Sequence, residues 1–195
     1  MTRVGLTPVV VVAEAAVLAD EAGFDALTVS AVARRLGVQT ASLYSHVRDR
    51  AALLDGVTVV AMSDLAARVA AAIAGRSGRA ALAGWAGAHR DYARAHPGRW
   101  AAMQRPAGPA AVASPAAADV VRLTDAVLRG YALPDGERVH VIRLLGSTVN
   151  GFVHLEGIGS FGHRAPATAD SWERLVDALD HLLRTWPAPT EETPA

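Results

Sequence analysis

The chain has 195 residues, 51% of them apolar, with 19 basic and 19 acidic side chains and no cysteine. That length allows one compact body or a small domain beside a larger one. The lack of cysteine excludes a disulfide framework and any thiolate metal site, and zero net charge argues against binding nucleic acid through bulk positive charge.

Alanine is abundant and aromatics make up only 5%, which favours helix over sheet. No strand pattern and no internal repeat is found, so the fold expected is all-α, with about nine helices. Thr7-Pro8 starts the first: a hydroxyl cap, then proline at the first helical position. This helix should reach Ala22 and stop at Gly23. It is apolar almost all round (Val9, Val10, Val12, Ala13, Ala16, Val17), which predicts a well-buried element. Thr28 can cap a second helix, Val29 to Leu36, which Gly37 ends with the positive φ that glycine tolerates. A short third helix follows over Thr40–His46, with Leu43 and Val47 turned inward. Asp49 can cap a fourth, from Arg50 to about Ala74.

Beyond the Gly75-Arg76-Ser77-Gly78 break, a helix carries Leu82, Trp85, His89 and Tyr92 and ends before His96-Pro97-Gly98. A shorter one carries Trp100 and Met103. Arg105 to Ala118, rich in proline and alanine, reads as a loop. Asp119–Tyr131 and Glu137–Ile158 read as helices, with a turn at Leu133-Pro134-Asp135-Gly136. Ser171 can cap a last helix from Trp172 to Thr185. Residues 187–195 read as a disordered tail. The domains expected are therefore 1–49, 50–186 and that tail. No uninterrupted apolar run of spanning length is read, and the N-terminus does not resemble a secretory signal, so the expectation is a cytoplasmic chain with no membrane partner.

The stretch from Leu27 to Leu54 carries the clearest function. Two short helices around the Gly37-Val38 turn form a helix-turn-helix, which lays its second helix in the major groove of double-stranded DNA. A reading helix needs small or polar side chains outward and apolar ones inward. Thr40, Ala41, Ser42, Ser45 and His46 meet the first need: hydroxyls bond base edges or phosphates, and the alanine methyl touches thymine. Gln39, just before the helix, is the nearest side chain able to make a bidentate base contact. Tyr44 and His46 are long enough for flanking phosphates, as is Arg50 at the start of helix four. Thr28 and Ser30, at the start of helix two, complete the DNA-contact candidates. Between Thr28 and Arg50, four arginines (34, 35, 48 and 50) face Asp49 alone, a local phosphate footprint within a neutral chain.

At these residues the sequence resembles the TetR family of transcriptional repressors, through Leu27-Thr28, Val32-Ala33, Leu36-Gly37-Val38, Leu43-Tyr44, His46-Val47, Arg50 and Leu53-Leu54. Gln39 stands where a small cap is frequent in that family, and Arg50 where lysine is common. Val149–Glu156 with Gly159-Ser160-Phe161 resembles the WHG type of TetR C-terminal domain, with Asn150 where that subfamily usually has histidine. The resemblance implies an all-helical homodimer, a three-helix reader, a regulatory helical bundle with a small-molecule pocket in each subunit, and release from DNA when an effector moves the readers apart. It also implies a dimer formed by the last two helices as a four-helix bundle. There Gly146, Asn150 and Gly151 would allow close approach, and Val176, Leu179 and Leu183 would offer an apolar stripe.

An effector pocket should be mostly apolar with a few converging polar groups. Trp85, His89 and Tyr92 share one helix face, and Trp100 and Met103 share another. Arg122, Asp125, Asn150 and His154 are polar residues within helices that must also bury apolar faces. These nine are the effector candidates. No histidine–carboxylate set has metal-ligand spacing, no nucleophile–base grouping stands out, and no phosphate-cradling glycine loop is present. No metal, cofactor or enzyme activity is expected. Two rival readings stay open: an enzyme housed in the helical body with a vestigial reader, and a DNA-architectural protein without an effector.

Overall fold

The computed structural model describes residues 5–187. Ten α-helices and one 3-10 turn make up this part of the chain, with no strand among the described residues: α1 (Pro8–Ala22), the 3-10 turn (Phe24–Ala26), α2 (Val29–Leu36), α3 (Thr40–Leu43), α4 (Arg50–Ile73), α5 (Gly78–Ala95), α6 (Pro97–Met103), α7 (Pro109–Val112), α8 (Pro115–Leu128), α9 (Arg138–Gly157) and α10 (Thr168–Arg184). Two compact units result. The first holds the chain up to Ala67 together with Tyr92–Val121; the second holds Arg68–Asp91 and the chain from Arg122 onward.

Local signals set the first unit. The Thr7 hydroxyl accepts from the Val10 N–H at 3.2 Å, the Thr28 hydroxyl from Ala31 at 3.1 Å, and the Asp49 carboxylate from Ala52 at 2.8 Å. Each satisfies a donor that a helix start leaves open. Gly37, at φ 67°, closes α2 in the left-handed conformation. Leu27, Val32, Leu43 and Leu53 are fully buried in a shared core with Val11, Ala15 and Ala19 of α1. Each buried leucine contributes about 1.5–3 kcal/mol. α1 is not buried all round, as its composition suggested. Val9 and Ala13 face outward, and the inward face is Val11, Ala15, Ala16 and Ala19.

α6 seats on α1 so closely that a Cβ at Gly98 would lie 1.9 Å from the Ala19 carbonyl oxygen. The Asp20 carboxylate holds the contact. It accepts from the Arg99 N–H at 2.8 Å and from Arg99 Nε at 2.7 Å, with His96 Nδ1 at 3.1 Å. The same guanidinium reaches Asp64 of α4 at 2.6 Å. Asp55 of α4 accepts from Arg105 at 3.0 Å and from the Gly108 N–H at 3.3 Å.

The stretch from Arg105 to Ala118 is therefore not a loop throughout. Pro109 and Pro115 each begin a helix, the position where proline's missing N–H costs nothing. α10 likewise starts earlier than expected, at Thr168, so Ser171 lies inside it and not at its cap. α4 is also long and apolar enough, by length and composition alone, to cross a membrane. Yet Asp55 and Asp64 lie within it and pair with arginines of the same unit, and its Leu53, Leu54 and Val57 complete the core around α1.

In the second unit, Val141, Leu145, Val149 and Val153 form the inward face of α9, and Trp172, Val176, Leu179 and Leu183 that of α10. The stripe expected to meet a second subunit is thus used internally. Apolar residues at helical spacing show that a face is covered, not whether the cover belongs to the same chain. Arg90 and Glu156 form a nearly buried two-point ion pair at 2.8 and 2.6 Å. The Arg90 guanidinium also lies 4.8 Å from the Trp172 ring centre, a cation–π geometry. Tyr131 donates to Asp180 at 2.7 Å, and Arg184 to its other oxygen at 2.8 Å. Burial alone would raise the Asp180 pKa; these two donors hold it below the usual carboxylate range.

Candidate nucleic-acid interface

The reading edge is built on two anchors. Leu43 is fully buried and Val47 nearly so, which fixes the rotation of α3 about its axis and turns the alternate side chains out. Ala41, Ser42, Tyr44 and Ser45 are exposed, and Thr40 and His46 are half-buried. Tyr44 is 54% exposed. α-Helical pairing covers only Thr40–Leu43. The chain then continues as tight turns, His46 N–H bonding Leu43 O at 2.9 Å, so the expected helix to His46 is one turn shorter. The Ser45 hydroxyl donates to the Ser42 carbonyl at 2.8 Å. Gln39, at the N-cap position, spends no side-chain bond on the helix and is exposed.

Thr28 and Ser30 sit together at the start of α2, their hydroxyl oxygens 3.1 Å apart. Arg50 opens α4, and its Nε donates to the Leu27 carbonyl at 3.1 Å while the residue stays exposed. That bond ties the orientation of the guanidinium to the loop before α2. All ten nominated residues thus lie on α2, α3 and their flanks, with polar or small groups exposed or half-buried.

The electrostatic footprint differs from the one read from sequence. Arg35 bonds Glu14 at 2.8 Å and makes a two-point bond to Glu21, both on α1. These two carboxylates, hydrogen-bonded to the guanidinium, push its pKa further up. Its charge is engaged within the reader. Arg48 pairs with Asp49 at 2.9 Å but remains largely exposed. Arg34 and Arg50 are exposed as well.

The nine effector candidates fall in both units. Trp85 and His89 lie in the second unit, while Tyr92, Trp100 and Met103 lie in the first. Trp85 is buried, and its indole N–H donates to Thr124 at 3.2 Å. His89 packs its ring 4.2 Å from that of Trp85, with Nδ1 2.8 Å from the Trp85 carbonyl. Burial pushes its pKa down to about 4, outweighing the bond to the carbonyl. Tyr92 and Trp100 are buried and Met103 half-buried. Arg122 and His154 are exposed, Asn150 is half-buried, and Asp125 lies 3.6 Å from Arg138.

The second unit has surface cavities at the start of α10 and between α4 and α5 that are lined by none of the nine. One of about 230 Å³ lies beside Phe152 and Phe161. Sequence reasoning missed its lining. Phe152, Ser160 and Phe161 enter the sequence reading only through the family resemblance and Ser171 only as a cap, and the connector from His163 to Thr168 carries no periodicity.

Residues 11–57 match the family described as "Bacterial regulatory proteins, tetR family", and residues 82–179 match "Tetracyclin repressor-like, C-terminal domain". An uncharacterized HTH-type transcriptional regulator of Mycobacterium tuberculosis is 38% identical over 147 residues, 72% of this chain; the chain spans 65% of that relative's length. A second such regulator, from Bacillus subtilis, is 24% identical over 94% of this chain and 92% of its own. Among solved structures, a TetR from Streptomyces coelicolor superposes with a TM-score of 0.70 at 19% identity, covering 94% of this chain and all of its own. A TetR variant from Acinetobacter baumannii in complex with minocycline gives 0.64 at 23% identity, covering 93% and 97%.

Proposed function

Because this chain belongs to the TetR family of DNA-binding transcriptional regulators, we propose that it is a one-component repressor, released from a palindromic operator by a small-molecule effector. The observation that carries this reading is the polar edge of α3, exposed over two buried anchors, Leu43 and Val47. Thr40, Ala41, Ser42 and Ser45 would meet base edges. Tyr44, His46 and Arg50 would meet phosphates, with Thr28 and Ser30 at the start of α2 and Gln39 before α3 beside them.

One such edge reads only a few base pairs. A homodimer with its edges about one turn of DNA apart, ~34 Å, reads a two-fold operator and neutralises twice the phosphates. α9 would supply the dimer contact: Gly146 and Gly151 have no atom within 4 Å of an added Cβ. The effector must bind the released state better than the DNA-bound one, since equal affinity shifts nothing. The minocycline complex of the Acinetobacter TetR makes a ligand switch a natural expectation for this fold. The site of action would be the bacterial cytoplasm.

Selection of binding sites from random DNA tests the reading. Enrichment of a palindrome with half-sites one helical turn apart is expected. Enrichment of no sequence overturns it.

A further inference from the structure

We propose that the cavity beside the Phe152–Phe161 ring pair in the second unit binds a small monocarboxylate with an aromatic or compact apolar body. The proposal rests on the regulator reading above for one consequence, that the occupant is the effector.

The cavity holds about 230 Å³, the volume of roughly eight water molecules. A ligand of that size has a single ring or a short branched chain. One wall carries two phenyl rings, Phe152 and Phe161, packed on each other at 47° with centres 5.0 Å apart. The apolar body of a ligand would lie against that wall. The polar lining is Ser160, His163, Arg164, Thr168 and Ser171. Arg164 and His163 are exposed on the connector between α9 and α10. A guanidinium presents a planar fork that fits a carboxylate in two parallel hydrogen bonds, and the three hydroxyls add donors to the same lining.

The adjoining groove shares Pro166 and Ser171 with this cavity and is lined by Asp170, Glu173, Arg174 and Asp177, of which Glu173 and Asp177 pair with Arg79. The preference for a carboxylate with an apolar body over phosphate therefore comes from the two phenyl rings, against which inorganic phosphate has nothing to pack. The cavity wall also connects inward. Phe152 lies 5.2 Å from the Trp172 ring, and the Arg90 guanidinium, paired with Glu156, lies 5.8 Å from the Phe152 ring. An occupant pressing on Phe152 therefore bears on the ion pair that joins α5 to α9.

Calorimetric titration of the full chain with benzoate tests the site, with benzamide as the neutral isostere and inorganic phosphate as the competing anion. Saturable benzoate binding is expected. R164Q should weaken it at least about tenfold, the loss of a charge-assisted pair, and R164K should fall between. Benzamide and phosphate should bind at least about tenfold more weakly. Three results would each overturn the site: no saturation up to about 10 mM, beyond the range of weak small-molecule sites; equal binding by R164Q; or phosphate binding as well as benzoate.

Benzoate that binds but leaves affinity for the selected operator unchanged overturns the effector role. Because operator selection is read without benzoate, failure here is separable from failure of the regulator reading.

Discussion

The seat of α6 on α1 can be tested by one methyl group. In G98A, the new Cβ would lie 1.9 Å from the Ala19 carbonyl oxygen and 2.1 Å from its carbon, where real contacts essentially never fall below 3.0 Å. Both partners are backbone, so no side chain can rotate aside. The helices must part by at least 1.1 Å, which stretches the Asp20 bonds to Arg99 from 2.8 and 2.7 Å beyond hydrogen-bond reach. Overpacking of this kind costs about 1–3 kcal/mol, and each bond to a charged group is worth about 1.5–3 kcal/mol. Against this, alanine gains about 0.5–1 kcal/mol of helix propensity over glycine.

The net expectation is at least about 3 kcal/mol of destabilisation, or a fall in Tm of at least about 6 °C for a chain of this size. G87A is the control: nothing lies within 4 Å of its added Cβ, so it should gain about 0.5–1 kcal/mol. Thermal and urea unfolding of the two variants beside the parent chain give the answer. A G98A protein as stable as the parent would refute the close contact and the reasoning built on it.

Other expectations follow from the same geometry. His89 has a folded pKa of about 4 against 6.5 free, so the unfolded chain takes up its proton first as pH falls. The stability this contributes is complete above pH 6.5 and is lost between 6.5 and 4. Near pH 5 the loss is about 2 kcal/mol, which H89F should not show; parallel stability–pH curves for the two proteins would refute it. R50Q should reduce the slope of log affinity against log salt by about 0.9 per subunit, whereas R35Q, whose charge is already engaged by Glu14 and Glu21, should leave the slope unchanged. Equal reductions in the two would show that Arg35 is not pinned in solution. G151L should sediment as a monomer and lose operator affinity while keeping its helix content. A dimer that survives the change places the subunit contact elsewhere than α9.

What could be read in advance was what is decided within a few residues. The Thr7, Thr28 and Asp49 caps and the Gly37 turn depend on groups at most four positions away, and each was legible. Pairings made across the chain were not. Arg35 meets Glu14 and Glu21, and Gly98 meets Ala19, through contacts with no sequence period. Proline misled between Arg105 and Ala118 because it breaks a helix from within but starts one at its first position. The inward faces of α9 and α10 followed from spacing, but the spacing could not say that Val176, Leu179 and Leu183 face their own chain. The Phe152–Phe161 cavity owes its shape to an irregular connector, where hydrophobic patterning carries no information.

The engagement of Arg35 by two glutamates also bears on how such a protein would divide its time along a chromosome. Every cation withheld from the phosphates weakens attachment to all sequences alike. Roughly a million or more unrelated sites compete for each molecule, and occupancy of the right one depends on the ratio of affinities. An arginine that answers to its own fold therefore loosens the grip on random DNA more than it weakens discrimination, leaving the choice of address to the small side chains between Thr40 and His46.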